Sequence, residues 1–403
     1  MKQTYKLTVL AASLVGLSAA APSAMADDAF FEALTGGKVS FSARARYESV
    51  EQDNPRQDAD AYTLRTTLGY KTGDFRGFSA FAEVEDVSDL GGDDYDSYPA
   101  DGQGSDDYSV VADPDDTEIN QAYLQYNGFD TEFKFGRQEI TYRGAPFHRF
   151  IGTVLWRQNH QSFDAFSFQN SSLENTTINY AYVNKRHTIT GATQDLDSHL
   201  VNVKYDGLSF GNLEGYGYFL EFEENPGDSS KTLGLRFSGA KAVSEDVKVI
   251  YTAEYAKQDD YKDGTMDDQN YYLAEIGAKY KGWLAKFSYE MQEGDGTDSF
   301  TTPLGTNHAF QGWADVFLGT PDEGLEDMYF TVVGKVLGAK LVAVYHDFET
   351  DQGGIDAGNE FDVLAQKTFK QHYTVGVKYS DYNAGDLGKV DTEKFWVYGQ
   401  VKF

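Results

Sequence analysis

Eight arginines are the residues of this chain whose type and spacing point most clearly to chemistry. Some alternate with apolar residues along predicted strands, and the others lie in or beside the segment 141–161. Guanidinium groups hold carboxylates through paired, charge-assisted hydrogen bonds. Arginines that share one confined, water-filled space would therefore attract anions. The eight positions are Arg44, Arg46, Arg65, Arg137, Arg143, Arg149, Arg157 and Arg236.

The same arginines have a second interpretation, in which they only pack an interior. Carboxylates fall on the same strand phase and could neutralise them, among them Glu48, Glu83, Glu85 and Glu254. The sequence leaves the choice between free and paired arginines open.

Arg137 poses a separate problem of direction. Simple alternation with Phe133 and Phe135 would point it to the apolar face. A β-bulge at Gly136 would reverse the phase and turn Arg137 inward, and we assume one.

Catalytic and cofactor chemistry find little support in the sequence. His160 and Ser162 have the spacing that places both on one face of a strand, as in a barrel phospholipase, but no third, orienting residue is clearly placed. The other histidines are scattered without metal-ligand spacing, and the chain has no cysteine. We expect no enzyme activity, no metal site and no cofactor. The formal charge of −30 argues against nucleic-acid binding.

The first 26 residues fit a secretory signal peptide. Lys2 and Lys6 precede a short apolar stretch, and Ala24-Met25-Ala26 fits the small-x-small cleavage rule. The predicted organisation is therefore a signal peptide over 1–26 and one domain over 27–403.

The elements that position the arginines are strands with a two-residue rhythm. In the last of them, Phe395, Val397 and Val401 alternate with polar or mixed residues, and the chain ends on an aromatic residue, Phe403. The pattern predicts an all-β, transmembrane, up-and-down antiparallel barrel with 18 strands. The strands are predicted at 38–50, 61–72, 77–87, 117–128, 130–140, 162–170, 174–184, 196–206, 210–222, 231–241, 245–257, 269–281, 283–292, either 310–318 or 325–336, 338–349, 359–367, 371–382 and 391–403.

Connections between these strands alternate between short and long without a break. This is expected of a barrel with short periplasmic turns and long outer loops. The loop 141–161 carries Phe147, Phe150 and Trp156, which make it too apolar for a freely solvated loop. We expect it to fold into the barrel and narrow it.

The outer loops carry much of the acid. The stretch 88–116 holds ten aspartates and no lysine or arginine. It could gather cations at the mouth, but it lacks the spacing of a calcium-binding loop. The favoured interpretation is a solvated loop bridged by divalent cations to lipopolysaccharide.

Seven short segments carry a resemblance to a known family: 118–123, 136–138, 149–153, 156–159, 163–165, 310–315 and 324–327. They resemble the alginate-export family of outer-membrane barrels. The resemblance covers most of 27–403 and is most specific between 118 and 165. It implies an eighteen-stranded barrel with an arginine-lined constriction that passes an acidic polysaccharide or other anions, with Arg137, Arg149 and Arg157 at the matching positions. The acidic outer loops depart from this pattern, because they would repel a polyuronate.

Together these observations predict an integral protein of the Gram-negative outer membrane that forms a passage for anionic solutes or acidic oligo- and polysaccharides. A general, cation-tolerant porin is the alternative, and a barrel phospholipase is the weaker third. The expected partners are the anionic solute, outer-membrane lipid and lipopolysaccharide, and the barrel assembly machinery, which would read Phe403.

Overall fold

The chain forms one closed barrel of 18 antiparallel strands. The computed structural model describes residues 28–91, 94–98, 107–145 and 148–403. Each strand pairs with its neighbours in sequence, and β1 also pairs with β18, from Ser42 opposite Lys402 to Gln52 opposite Thr392. The sheet therefore has no free edge. The predicted barrel and its strand number are confirmed, whereas the predicted signal peptide and Phe147 lie outside the described residues.

Among the described residues, one short helix, α1 (Asp28–Thr35), precedes the barrel, and two single 3₁₀ turns, Pro226–Asp228 and Asn307–Ala309, lie in loops. The strands β1 to β18 are Lys38–Gln52, Ala59–Lys71, Phe78–Asp89, Asp116–Gly128, Thr131–Gln138, Ser162–Asn170, Thr176–His187, Thr193–Leu208, Gly211–Leu220, Ser230–Ala242, Val247–Asp260, Gln269–Tyr280, Trp283–Gln292, Leu325–Val336, Ala339–Glu349, Asp356–Phe369, Tyr373–Asn383 and Thr392–Lys402.

Tight turns close one end of the barrel. Lys281-Gly282 and Leu337-Gly338 have positive φ at both positions, which is the geometry of a two-residue hairpin matched to the strand twist. Longer loops join the strands at the other end, including 90–115, 139–161 and 293–324. Most connections alternate between short and long as predicted, but the alternation is not unbroken: 53–58 and 72–77 have six residues each, and 171–175 and 188–192 have five each. The end with the longest loops is the outer one.

Alternation along each strand separates an apolar exterior from a wetter interior. Val39, Leu124 and Phe135 lie on the outward phase and are more than 60 % exposed. On the opposite phase of β1, Ser42, Arg44, Arg46 and Glu48 are buried. A belt of apolar side chains around a closed sheet is what a bilayer requires. Among the described residues, no helix has the length and hydropathy to span a membrane.

Two long loops fold into the barrel and pack against its wall. Phe150 from the loop 139–161 meets Tyr216, Tyr271 and Phe300 with ring centroids 5.1 to 6.1 Å apart. The predicted inward loop is therefore confirmed. The segment 310–318 is not a strand but part of a second inward loop, 293–324, so the ambiguous strand is β14, Leu325–Val336.

Candidate substrate pathway through the barrel

An ion-pair network joins the first inward loop to the barrel wall, and we call it the Arg157 network. Arg157 pairs with Glu48 on β1 at 3.1 Å, with Asp315 of the second inward loop at 3.2 Å and with Asp113 at 3.5 Å. The remaining two cations are Arg46, which pairs with Glu48 at 3.0 Å and also with Asp113, and Lys394, which pairs with Asp315 at 3.0 Å. Three cations and three carboxylates thus balance one another.

The side chains of the Arg157 network stay ionised because each has partners of opposite charge. Burial opposes the charge on Arg157, but Glu48 and Asp315 outweigh it and raise the pKa of the guanidinium. Burial likewise opposes the charge on Asp315, but His308, Lys394 and Arg157 hold the pKa of its carboxyl well below its usual range. Both loops are therefore tied to the wall by permanent charges.

A buried lysine beside this network lies in a cage of tryptophans. The ammonium of Lys378 is 4.1 Å from the ring centroid of Trp156 and 3.9 Å from that of Trp313, one from each inward loop. Trp396 of β18 lies at 5.0 Å. Cation–π attraction is strongest with tryptophan when the cation is desolvated. This cage fastens both inward loops to β17 and β18.

Arg44 lies in the same region but has no carboxylate at ion-pairing distance among the described residues. Its Nε donates to Gln158 Oε1 at 2.8 Å, and its terminal nitrogens donate to the carbonyls of Leu155, Trp156 and Arg157. These contacts position the first inward loop.

Arg65, His160 and Ser162 bear on the catalytic alternative. Arg65 pairs with Glu85, with Nε 2.6 Å from Oε2, and its Nη2 lies 2.9 Å from His160 Nδ1. That same Nδ1 is 3.1 Å from Glu139. Ser162 Oγ has no hydrogen-bond partner among the described residues. The structure brings His160 into an arginine–carboxylate cluster and forms no His160–Ser162 pair.

Three further predicted arginines are paired on the far side of the lumen. Arg143 contacts Glu214 at 3.0 Å and Glu254 at 2.7 Å, and Arg236 contacts Glu254 at 3.3 Å. Arg149, whose side chain is 1 % exposed, has its Nε 2.9 Å from the carboxylate of Glu290. Pairing with wall carboxylates, the second interpretation, thus describes these arginines and those around Glu48 and Glu85.

Arg137 does not turn into the lumen, so the assumed bulge is wrong. The ladders of β5 with β4 and β6 run through Gly136 without a register shift. Arg137 shares the outward phase of Phe135 and pairs with Asp164 at 2.9 Å, while Gln138 on the opposite phase is buried. Gly136 has a φ of +121° but adds no extra residue to the strand. The phase of the strand is therefore not reversed at Gly136.

A cavity of about 640 Å³ opens above the Arg157 network on the outer side. Loop residues such as Asn54, Ile189 and Val316 form its walls, and its lining mixes apolar and polar groups. A volume of this size suits a small organic molecule. Among the described lining residues, the charged ones are Arg56, Arg157, Arg186, Lys389, Lys394 and Asp315.

Two of these cations have no carboxylate partner in the described part of the chain. Arg186 donates to Gln161 Oε1 at 2.6 Å and to Gln194 Oε1 at 3.1 Å. Lys389 is exposed and lies 5.7 Å from the ring centroid of Phe317. Arg56, by contrast, lies 3.9 Å from Asp96. The positive excess at the cavity wall is thus carried by Arg186 and Lys389, which the sequence analysis did not select.

The described residues hold no group of three or more histidine, aspartate or glutamate side chains arranged to bind a metal ion.

Comparisons with known proteins identify the fold. No protein-family model and no curated protein matches the chain. Among solved structures, OccK9 (OpdG) of Pseudomonas aeruginosa matches with a TM-score of 0.72 and 13 % identity over 92 % of this chain and 100 % of the other. OccAB4 of Acinetobacter baumannii matches at 0.71 and 14 % over 91 % and 98 %. OpdK of Pseudomonas aeruginosa, solved with vanillate, matches at 0.72 and 13 % over 92 % and 99 %. The chain has the fold of these outer-membrane barrels.

Proposed function

We propose that this protein is an outer-membrane channel through which small anionic solutes pass by diffusion. The observation that carries the proposal is the cavity of about 640 Å³ above the constriction, where Arg186 and Lys389 have no carboxylate partner among the described residues. The electrostatics of a lumen set its ion preference. Unpaired cations at the entrance raise the local concentration of anions.

The buried arginines have a different role in this proposal. Arg149 and Arg157 are neutralised by carboxylates and fasten the inward loops, so they define the shape of the constriction. Removing one partner of such a pair leaves a buried charge alone, which is strongly destabilising. These arginines therefore maintain the passage, and the unpaired cations above them select the solute.

The cavity favours small carboxylates as the solute class. Its lining offers apolar surface from Val154, Ile189 and Leu318 beside the cations, which fits an acid with an apolar body. OpdK, one of the barrels with this fold, was solved with vanillate, a small aromatic carboxylate. Short oligouronates, the units of alginate, also carry carboxylates, and we include them as the larger members of the same class.

Reversal potentials in a planar bilayer test the proposal. Arg186→Gln and Lys389→Gln each remove one positive charge without leaving a carboxylate unpaired among the described residues. Arg137→Gln removes an arginine on the outward phase and is the matched control. We expect an anion preference that falls in the first two variants and stays unchanged in the third. A wild-type channel that prefers cations would establish the cation-tolerant porin instead.

Solute flux into liposomes resolves the substrate class. Vanillate and a trimeric oligouronate are supplied outside vesicles that contain the protein, and their entry is compared with that of a neutral sugar of similar size. Faster entry of vanillate than of the sugar supports selection by charge. Equal entry of all three would contradict it.

A further inference from the structure

We propose that helix α1 lies in the periplasmic headgroup layer of the membrane, with Phe30, Phe31 and Leu34 facing lipid. The inference is independent of which solute the channel carries. It makes α1 an interfacial anchor at the end of the barrel where β1 begins.

The sequence of α1 gives it one apolar face. At about 100° per residue, Phe30, Phe31 and Leu34 group together, and Asp28 and Glu32 fall on the other side. The three large apolar side chains are 42 %, 61 % and 42 % exposed. The described chain therefore leaves much of this face open.

Hydrogen bonds fix α1 to the outside of the barrel rim. The hydroxyl of Tyr70 donates to the carbonyl of Leu34 at 2.6 Å and accepts from the backbone N–H of Gly37 at 3.0 Å. The backbone N–H of Gly73 donates to the carbonyl of Ala33 at 2.8 Å. Tyr70 lies on the outward phase of β2, on which Leu68 is 57 % exposed. The helix is therefore held beside the lipid-facing surface.

The apolar face of α1 continues the apolar belt of the barrel. Phe30 packs edge-on against Phe75 of the β2–β3 turn, with centroids 5.2 Å apart. Phe78, which follows that turn, is 55 % exposed on the outward phase, and Val39 at the start of β1 is 67 % exposed. Because the belt already faces lipid, the same bilayer is the occupant of the adjoining helix face.

The charge on the polar face of α1 determines which lipids would favour its binding to the membrane. Interfacial helices commonly carry lysine or arginine, which attract anionic lipids. The charged residues of α1 are Asp28 and Glu32, so lipid charge does not assist it. Attachment to the barrel substitutes for that attraction, because it gives the helix a high effective concentration at the membrane. We expect insertion in zwitterionic lipid.

Site-specific labelling tests this placement in the full chain. The sequence has no cysteine, so each introduced cysteine is unique. Phe31→Cys on the apolar face, Glu32→Cys on the polar face and Leu68→Cys in the belt are labelled with an environment-sensitive fluorophore. Each protein is placed singly in phosphatidylcholine nanodiscs, which excludes a second copy, and retention of the barrel is checked by heat-modifiable migration.

Two quenchers then distinguish lipid from water and from protein. We expect lipid-borne nitroxides near the headgroup to quench position 31 about twofold or more over position 32, and iodide in water to show the reverse order. Position 68 should be quenched by lipid as well. Equal iodide access at 31 and 32 would overturn the proposal. Protection of position 31 from both quenchers would also overturn it, because the face would then be covered by protein.

Discussion

In the proposed channel, removing the charge of Arg186, which has no carboxylate partner in the described part of the chain, should weaken anion preference by an amount that follows from the size of the cavity. An ion at the centre of a cavity of about 640 Å³ lies roughly 7 Å from a charge on its wall. At this distance in water, the interaction energy of two unit charges is about 0.6 kcal/mol. Screening at about 0.1 M salt, where the Debye length is about 10 Å, halves this to about 0.3 kcal/mol. The anion loses this attraction and the cation loses an equal repulsion. The permeability ratio of chloride to potassium therefore falls about threefold.

The assay is the reversal potential between 100 mM and 10 mM KCl, and the expected shift is large enough to measure. For univalent ions, a tenfold concentration ratio corresponds to about 59 mV at perfect selectivity. If chloride permeates the wild-type channel roughly four times better than potassium, a fall in that ratio by a factor of about three moves the reversal potential by about 20 mV. The double variant with Lys389→Gln should bring the channel to weak cation preference. Raising both salt concentrations tenfold should shrink the difference between wild type and variant, because the charges are then screened over about 3 Å.

Arg137→Gln is the control for this experiment, because Arg137 lies on the outside of the barrel. Arg137→Gln removes the same side chain from the outer surface, where it pairs with Asp164, and should shift the potential by less than about 5 mV because lipid and the wall separate it from the lumen. An unchanged potential in both Arg186→Gln and Lys389→Gln would refute the reasoning. A shift in Arg137→Gln equal to that in Arg186→Gln would refute it too.

Three further expectations concern stability, each measured by urea unfolding of the barrel in detergent. Glu290→Gln leaves the buried guanidinium of Arg149 without its carboxylate and should cost about 3 to 5 kcal/mol, whereas Asp206→Asn in an exposed pair should cost less than about 1 kcal/mol. Burial lowers the pKa of His308 to about 3, so the unfolded chain takes up a proton below its ordinary pKa of 6.5 while the folded chain does not. The contribution of His308 to the free energy of unfolding is then largest above that pH, and the free energy of unfolding should fall by about 2 to 3 kcal/mol between pH 6.5 and 4.5. In His308→Gln the free energy of unfolding should depend less on pH over this interval. Gly136→Ala should destabilise the barrel by about 1 kcal/mol or more, since its φ of +121° strains any side chain and a Cβ there would meet a carbonyl of β4.

The strands could be predicted because each is buried on one face only. In β18, Lys394, Trp396 and Tyr398 are buried and alternate with exposed or half-buried Phe395 and Val397, as the two-residue rhythm indicated. Turn positions such as Lys281-Gly282 gave the boundaries. The inward loop 139–161 was signalled by its aromatic residues. The second inward loop has the same signal in Phe300 and Phe317, but its short apolar runs also fit a strand.

The sites were harder to predict because a bulge changes every later residue on its strand. The register of β7 shifts between Val183 and Lys185, and this shift brings Arg186 to the cavity side. A strict alternation from Val183 would have placed Arg186 outward. In β5 the opposite happened: a bulge was predicted at Gly136, but this glycine adds no residue to the strand, and Arg137 lies on the outside of the barrel. Neither event leaves a mark that distinguishes it in the sequence alone.

In the proposed channel, total charge is a poor guide to solute preference, because some cations are paired with carboxylates and others have no such partner among the described residues. The formal charge of −30 suggests a cation channel, but charges in loops surrounded by water are screened over about one Debye length. Inside the barrel, Arg157 and Arg149 are cancelled by carboxylates a few ångströms away, so their fields fall off quickly. Arg186 is half-buried beside amide groups that carry no net charge, so no carboxylate among the described residues cancels its field at the cavity. In the proposed channel, one wall arginine without a carboxylate partner among the described residues would therefore outweigh many acids at the surface, and the solute preference would depend on which charges remain uncompensated.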